Sequence, residues 1–153
     1  MPVITVNKKV YYDYNILETF EAGIVLSGPE VKSIKTGQVN LSGGYVTIDA
    51  KEIPWLINVH ISPYPPAFAV QQNYNPTQNR KLLLHKKEIA SLIGKKRTPG
   101  LTIIPLKIHN KKGLIKIEIG LAKGKKKWDK RETIKKREVK RKIQQALKRN
   151  HPN

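Results

Sequence analysis

The side chains with chemical reach in this sequence are basic and aromatic. Lys123, Lys125, Lys126 and Lys127 crowd around Gly124, and Lys130, Arg131, Lys135, Lys136, Arg137, Lys140 and Arg141 follow within 20 residues. Tyr11, Tyr12, Tyr14 and Tyr45 add flat rings. Lysine and arginine neutralise phosphates without reading sequence, and exposed aromatic faces stack on unpaired bases. The groups that catalysis needs do not assemble. His60, His85, His109 and His151 sit at no ligand spacing, and there is no cysteine, which excludes thiol catalysis, disulfides and Cys-ligated zinc. No Gly-rich loop ends in Lys-Ser or Lys-Thr, and the few acidic residues form no acid–base pair. The expectation is a binding protein rather than an enzyme, with no metal and no cofactor.

The charge balance names the partner class. Thirty Lys and Arg stand against 11 Asp and Glu in 153 residues, a net charge of +19, which points to a polyanion. Residues 1–122 carry 16 basic and 8 acidic residues (+8), and residues 123–153 carry 14 and 3 (+11). The expected organisation is therefore a folded body over 1–122 and a basic tail over 123–153, flexible when free and helical when bound. In that tail Asp129 and Glu132 have capping-box spacing, Glu132–Lys136 and Glu138–Lys142 are i,i+4 pairs, and Val139, Ile143, Ala146 and Leu147 form a narrow stripe. Trp128 beside the cap either stacks on a base or packs on the body. No apolar run reaches about 18 residues and no secretory leader is visible, so a cytoplasmic protein is expected.

The elements that must position these groups read as a small β-barrel. Ile16 to Phe20 and Ala22 to Leu26 are rich in β-branched and aromatic residues and predict two strand pieces, with a bulge at Gly23. Ser27-Gly28-Pro29-Glu30 predicts a helix start, running through Val31 and Ile34 and stopping near Gly37. Strands follow around Tyr45–Asp49 and Trp55–Val59, then a Pro/Asn/Gln-rich loop over 63–79. After Arg80, Leu82, Leu83, Leu84, Ile89, Leu92 and Ile93 predict a helix ending at Gly94. Ile104–His109 and Ile115–Leu121 alternate about Asn110–Gly113 and predict an antiparallel hairpin, with Glu118 ion-paired to a neighbour. A mainly β chain of this size, with few helices, fits an oligonucleotide-binding-fold-like antiparallel barrel with flanking helices.

Three segments occur together: FEAGIVLSGPEVKSIKTG (20–37), NPTQNRKLLLHKKEI (75–89) and GLAKGKKKWDKRETIKKRE (120–138). In order and spacing they resemble the SmpB family, the SsrA-binding proteins of bacterial trans-translation, from Asn7 to about Lys142. The resemblance implies an oligonucleotide-binding barrel that binds the tRNA-like domain of transfer-messenger RNA. It also implies delivery of that RNA, with elongation factor Tu, to stalled ribosomes, where the tail occupies the decoding centre and empty message channel. Asn7, Tyr14, Glu21 and Leu83 match family positions tied to RNA. Glu21 would accept hydrogen bonds from base amino groups or 2′-hydroxyls, or would be an ordinary strand-face ion pair. Tyr14 and Tyr45 would stack on bases or pack the barrel, and Lys32, Lys116, Lys123, Lys125 and Lys126 would meet phosphates. Gly124 would admit a close backbone approach or end the last strand. On the ribosome the implied tail contacts are Trp128, Asp129, Lys130, Arg131, Lys135, Lys136, Arg137, Lys140, Arg141 and Ile143.

Val10 and Tyr12 stand where the family more often has Ala and His, Gln78 where Arg is common, and Pro29 precedes the EVKS glutamate. Two rival readings accompany this one: a ribosomal protein that binds ribosomal RNA permanently, and a basic amphipathic tail on an anionic membrane. The second lacks bulky aromatics beyond Trp128.

Overall fold

The computed structural model describes residues 2–67, 72–125 and 137–143. Its centre is the predicted hairpin. Strands β8 (Leu101–Lys111) and β9 (Leu114–Gly124) pair along their length and turn through Lys112 and Gly113. Both turn residues have positive φ, 50° and 84°, as a two-residue turn matched to strand twist requires. β9 alternates as read: Ile115, Ile117, Ile119 and Leu121 are buried while Lys116 and Glu118 face outward, and Lys107 Nζ lies 3.3 Å from Glu118 Oε2.

Closure follows from the remaining pairings. β4 (Tyr45–Ile48), β5 (Pro54–Ile57) and β7 (Arg80–Leu83) lead from β8 to β2 (Tyr14–Ile24), which returns to β9. The pairings run in a ring and are all antiparallel, so six strands form a closed barrel, with β4 and β8 joined only at Val46 and Ile103. β1 (Val3–Val6) adds to the outer end of β8, and the short β3 (Val39–Asn40) and β6 (His60–Ile61) pair separately. The interior holds Phe20, Val46, Leu56, Leu82, Ile103, Ile108, Ile117 and Ile119. Helices α2 (Gly28–Lys35) and α3 (Lys86–Lys96) insert Ile34 and Leu92, neither with exposed surface. Each such side chain contributes roughly 1.5–3 kcal/mol.

The end signals of α2 are those read from the sequence. The Ser27 hydroxyl accepts from Glu30 N–H, and the Glu30 carboxylate accepts from Ser27 N–H. Gly37, at φ 80°, donates to the Ile34 carbonyl while Gln38 donates to Ser33, closing the C-terminus in a Schellman motif. Glu30 does more than complement the helix dipole. It is 3% exposed and paired at 2.7 Å with Arg80, which is 2% exposed. Arg80 also donates to the Val59 and Pro76 carbonyls and the Tyr74 hydroxyl, and Tyr74 and Gln78 donate to Glu30. Burial pushes the Glu30 carboxyl up, but the Ser27 N–H, Arg80 and Tyr74 outweigh it and hold it below the usual range. Burial and the Glu30 charge push the Tyr74 hydroxyl up to about 12. This network ties the segment from Tyr74 to Gln78 to α2, and the family departure Gln78 belongs to it as a neutral donor.

Four expectations are corrected. β2 is one strand rather than two pieces, and its register shift lies between Ile16 and Glu18, at exposed Leu17, not at Gly23. The segment after Arg80 is β7, with the helix beginning only at Lys86; three consecutive leucines fit either periodicity, and barrel pairing decides. α3 runs through Gly94 to Lys96, because a Cβ-free position does not end a helix that Pro99 and Gly100 end just beyond. Lys8–Asp13 forms an unpredicted helix, α1, which lacks a side-chain cap and is held by Val10 packed on Ile104, Leu106 and Ala122.

The tail is described over 137–143, where it is helical (α4). Glu138 and Lys142 sit one turn apart in a run of good helix formers. Val139 and Ile143 remain 56% and 55% exposed. The body's pairing runs past Ala122: Gly124 ends β9, and Lys125 N–H donates to the Asp13 carbonyl.

Candidate nucleic-acid interface

Outward-facing residues of the barrel gather in two grooves. The first, about 690 Å³, lies beside the β8–β9 turn and is lined by Glu21, Gly23, Leu83, Leu84, His85, Glu88, Lys111, Lys112, Leu114 and Lys116. Three residues singled out from the sequence, Glu21, Leu83 and Lys116, meet here. Strand alternation explains Leu83: Leu82 is 1% exposed inside the barrel, and Leu83 points out at 53%. Leu114, 63% exposed, lines the same groove. Glu21 Oε1 lies 3.6 Å from Lys111 Nζ and 3.8 Å from His109 Nε2. That nitrogen is buried without a hydrogen-bond partner among the described residues. Glu21 is therefore part of a strand-face ion pair and is still 40% exposed to the groove. The sequence reading missed His109, Lys111 and Lys112 as site residues, because Asn110–Gly113 signals only a turn.

The second groove, about 410 Å³, runs between α1 and the 42–45 segment over β8. Asn7, Lys9, Val10, Asp13, Tyr14, Ser42, Gly43, Gly44, Tyr45, Thr102 and Ile104 line it. Asn7, Tyr14 and Tyr45 meet here, and Tyr45 is 42% exposed. Asn7 is 5% exposed, and its amide donates to the Pro105 and Leu41 carbonyls, so it fixes the corner between β1 and β8. Gly44 is required by space: an added Cβ would lie 2.5 Å from Val59 Cγ2 and 3.1 Å from the Leu41 carbonyl. Opposite Tyr14 stands Gly124, with open space where its Cβ would be, and exposed Lys123 stands opposite Asn15. Lys125 Nζ donates to the Tyr11 carbonyl. The Tyr11 hydroxyl is pushed up by burial and by Glu118, against Lys107.

The remaining sequence candidates are dispersed. Lys32 lies on α2, with Nζ 5.7 Å from the centroid of the Tyr64 ring. Arg137, Lys140 and Arg141 of α4 line a cleft with Lys8 and Tyr11, and Ile143 is exposed on the same helix. Lys126, Trp128, Asp129, Lys130, Arg131, Lys135 and Lys136 lie outside the described residues, as does the capping box at Asp129. Among the described residues no three His, Asp or Glu gather as metal ligands, and no helix is long and apolar enough to cross a membrane. A closed barrel with one outward groove rimmed by Lys111, Lys112 and Lys116 and a second that holds Lys9, Tyr14 and Tyr45 can take phosphates at the first and unpaired bases at the second.

Comparison with known proteins gives a family to this arrangement. The family described as SmpB protein matches residues 4–149. An SsrA-binding protein of Persephonella marina is 53% identical over 95% of this chain and 94% of its own length. One from Trichormus variabilis is 55% identical over 95% and 93%, and one from Thermosipho africanus 54% identical over 98% and 99%. A solved chain described under "tmRNA-SmpB: a journey to the center of the bacterial ribosome" superposes with a TM-score of 0.67 at 43% identity, over 83% of this chain and 87% of that one. With its three sequence blocks, its closed barrel and this match along nearly its whole length, the chain belongs to the SmpB family.

Proposed function

We propose that the protein is the RNA-binding adaptor of trans-translation: it binds the tRNA-like domain of transfer-messenger RNA and brings it to stalled ribosomes. The observation that carries this reading is identity above 50% with SsrA-binding proteins over 95% of the chain. The grooves supply the chemistry. Tyr14 and Tyr45 offer stacking faces in one, and Glu21, Leu83 and Lys116 offer an acceptor, an apolar wall and a phosphate contact in the other. Lys32, Lys123, Lys125 and Lys126 add sequence-independent affinity, with Gly124 leaving room between them. In this reading the body binds the transfer-messenger RNA. The tail beyond β9 enters the decoding centre and message channel through Trp128, Asp129, Lys130, Arg131, Lys135, Lys136, Arg137, Lys140, Arg141 and Ile143. Elongation factor Tu joins through the charged RNA, the setting is the cytoplasm, and no residue is assigned a catalytic role.

The test is the identity of the RNA that co-purifies with the native protein. Transfer-messenger RNA, enriched on stalled ribosomes, is expected. Ribosomal RNA alone, at one protein per ribosome, would replace this reading with that of a structural ribosomal component. A chain ending before Trp128 is expected to keep the RNA and to lose tagging of stalled products; intact tagging would refute the division between body and tail.

A further inference from the structure

Between the two grooves, the barrel turns a third surface outward. On β4, β5 and β7, the side chains of Val46, Leu56, Arg80 and Leu82 point inward and are at most 2% exposed. Parity therefore turns Tyr45, Thr47, Trp55, Ile57, Lys81 and Leu83 outward. In register, Thr47, Trp55 and Lys81 form one row across the three strands, and Tyr45 stands opposite Ile57. Trp55 is half-buried, and Lys81 and Tyr45 are exposed.

The indole is tethered rather than merely packed. Its Nε1–H donates to Asp49 Oδ2 at 2.9 Å. The other carboxylate oxygen accepts the backbone N–H of Lys51 at 2.9 Å and of Ile53 at 3.0 Å. The Trp55 indole and the Ile53 amide, with the Lys51 amide and charge behind them, hold this exposed carboxyl below its usual range against the opposing desolvation. Water would satisfy an indole N–H at this surface equally well, so the tether adds orientation. A ring fixed before binding loses little freedom when a base settles on it.

We propose that Trp55 is a nucleobase-stacking platform, with Tyr45 as a second platform one step along the face and Lys81 taking the phosphate of the same strand. Trp55 and Tyr45 are diagonal neighbours on one face of an antiparallel pair, about 7–8 Å apart. The occupant is an unpaired stretch of RNA: the net charge of +19 and the lysine in the Trp55 row favour a polyanion, and the two ring faces favour one with exposed bases. Tyr45 also lines the second groove, so this face continues that interface around the barrel. The inference rests on the RNA-binding reading above and adds a site to it.

The experiment follows tryptophan emission in the full chain as the isolated tRNA-like domain of transfer-messenger RNA is added. The chain has two tryptophans, and Trp55→Tyr keeps an aromatic face while removing one emitter, so the difference between the two titrations is the Trp55 signal. That difference is expected to fall by more than half at saturation. Heparin, a polyanion without bases, is expected to leave it unchanged. Trp55→Leu is expected to weaken RNA binding about 5- to 150-fold, and Trp55→Tyr less than about 3-fold. Saturation by the RNA with unchanged Trp55 emission, or equal quenching by heparin, overturns the platform while leaving the functional reading intact. Failure of the RNA to bind overturns both.

Discussion

Arg80 opens the block that carries the family resemblance, and as an arginine in a chain proposed to bind RNA it invites assignment to a phosphate. The structure predicts otherwise, and Arg80→Met separates the two roles. The guanidinium is 2% exposed and makes four hydrogen bonds, to Glu30, Tyr74 and the Val59 and Pro76 carbonyls. Methionine fills much of the space but leaves Glu30 charged at 3% exposure, with Ser27 N–H, Tyr74 and Gln78 as donors. Removing one member of a buried pair costs about 3–5 kcal/mol, most of it the uncompensated partner. The freed carbonyls belong to the same network, so their loss is not added separately. For a folded body of about 120 residues, total stability is on the order of 6–18 kcal/mol, and 1 kcal/mol moves Tm by about 4 °C. The expected drop is therefore about 12–20 °C at pH 7 by far-UV circular dichroism, with affinity for the tRNA-like domain retained well below the new midpoint. Arg80→Lys keeps the charge but not the fork, and should fall between. A Tm within about 3 °C of the parent, or an unchanged Tm with RNA binding lost, would refute the structural assignment.

Glu30→Gln tests the same network by pH. The folded pKa of Glu30 lies below its ordinary 4.5, so its contribution is present above that value and is lost as pH falls through the lower folded pKa. Stability measured by urea unfolding from pH 7 to 3 should decline less steeply in the variant, from a lower starting value. Gly44→Ala forces a Cβ to 2.5 Å from Val59 Cγ2 and should cost about 1–3 kcal/mol in the same assay, since overpacking against a buried valine has no easy relief. Lys112→Glu with Lys116→Glu, both in the first groove, should flatten the salt dependence of RNA affinity by about 0.7–0.9 per lost phosphate contact. An unchanged slope would remove that groove from the interface.

The elements legible in the sequence are those whose signals are local. The β8–β9 hairpin shows a two-residue period along β9 and a Lys-Gly turn, and α2 begins with Ser-x-x-Glu and ends in glycine. On β8 the expected period fails, because a register shift between Pro105 and Lys107 puts Ile104 and Leu106 under α1 and Ile108 in the barrel core. α1 has neither cap nor a long stripe; Val10 makes it a helix only once Ile104, Leu106 and Ala122 have come together from β8 and β9. The site was partly legible for a related reason. Tyr14, Tyr45, Glu21, Leu83 and Lys116 could be singled out by type and resemblance, but nothing linear says how strands are arranged around a closed barrel. Only the pairing order sends Tyr14 and Tyr45 to one groove and Glu21 and Leu83 to another. His109 was legible only as a non-ligand, because its burial beside Glu21 depends on three strands meeting.

The family blocks mix two roles at adjacent positions, and strand parity is what separates them. In RKLLL, Arg80 and Leu82 face inward at 2% and 1% exposure, while Lys81 is exposed and Leu83 is 53% exposed. In the first block Glu30 is buried in the network and Glu21 opens to a groove; in the third Ala122 is buried under α1 and Lys123 is exposed. A motif that is to bind RNA from a barrel surface must also build the barrel, so its inward-facing residues answer to packing. Reading the segment after Arg80 as a helix hid this alternation and left Lys81 unremarked. Once the segment is a strand, the same alternation that buries Arg80 turns Lys81 into the row of Trp55, and the outer face of β4, β5 and β7 acquires its cation.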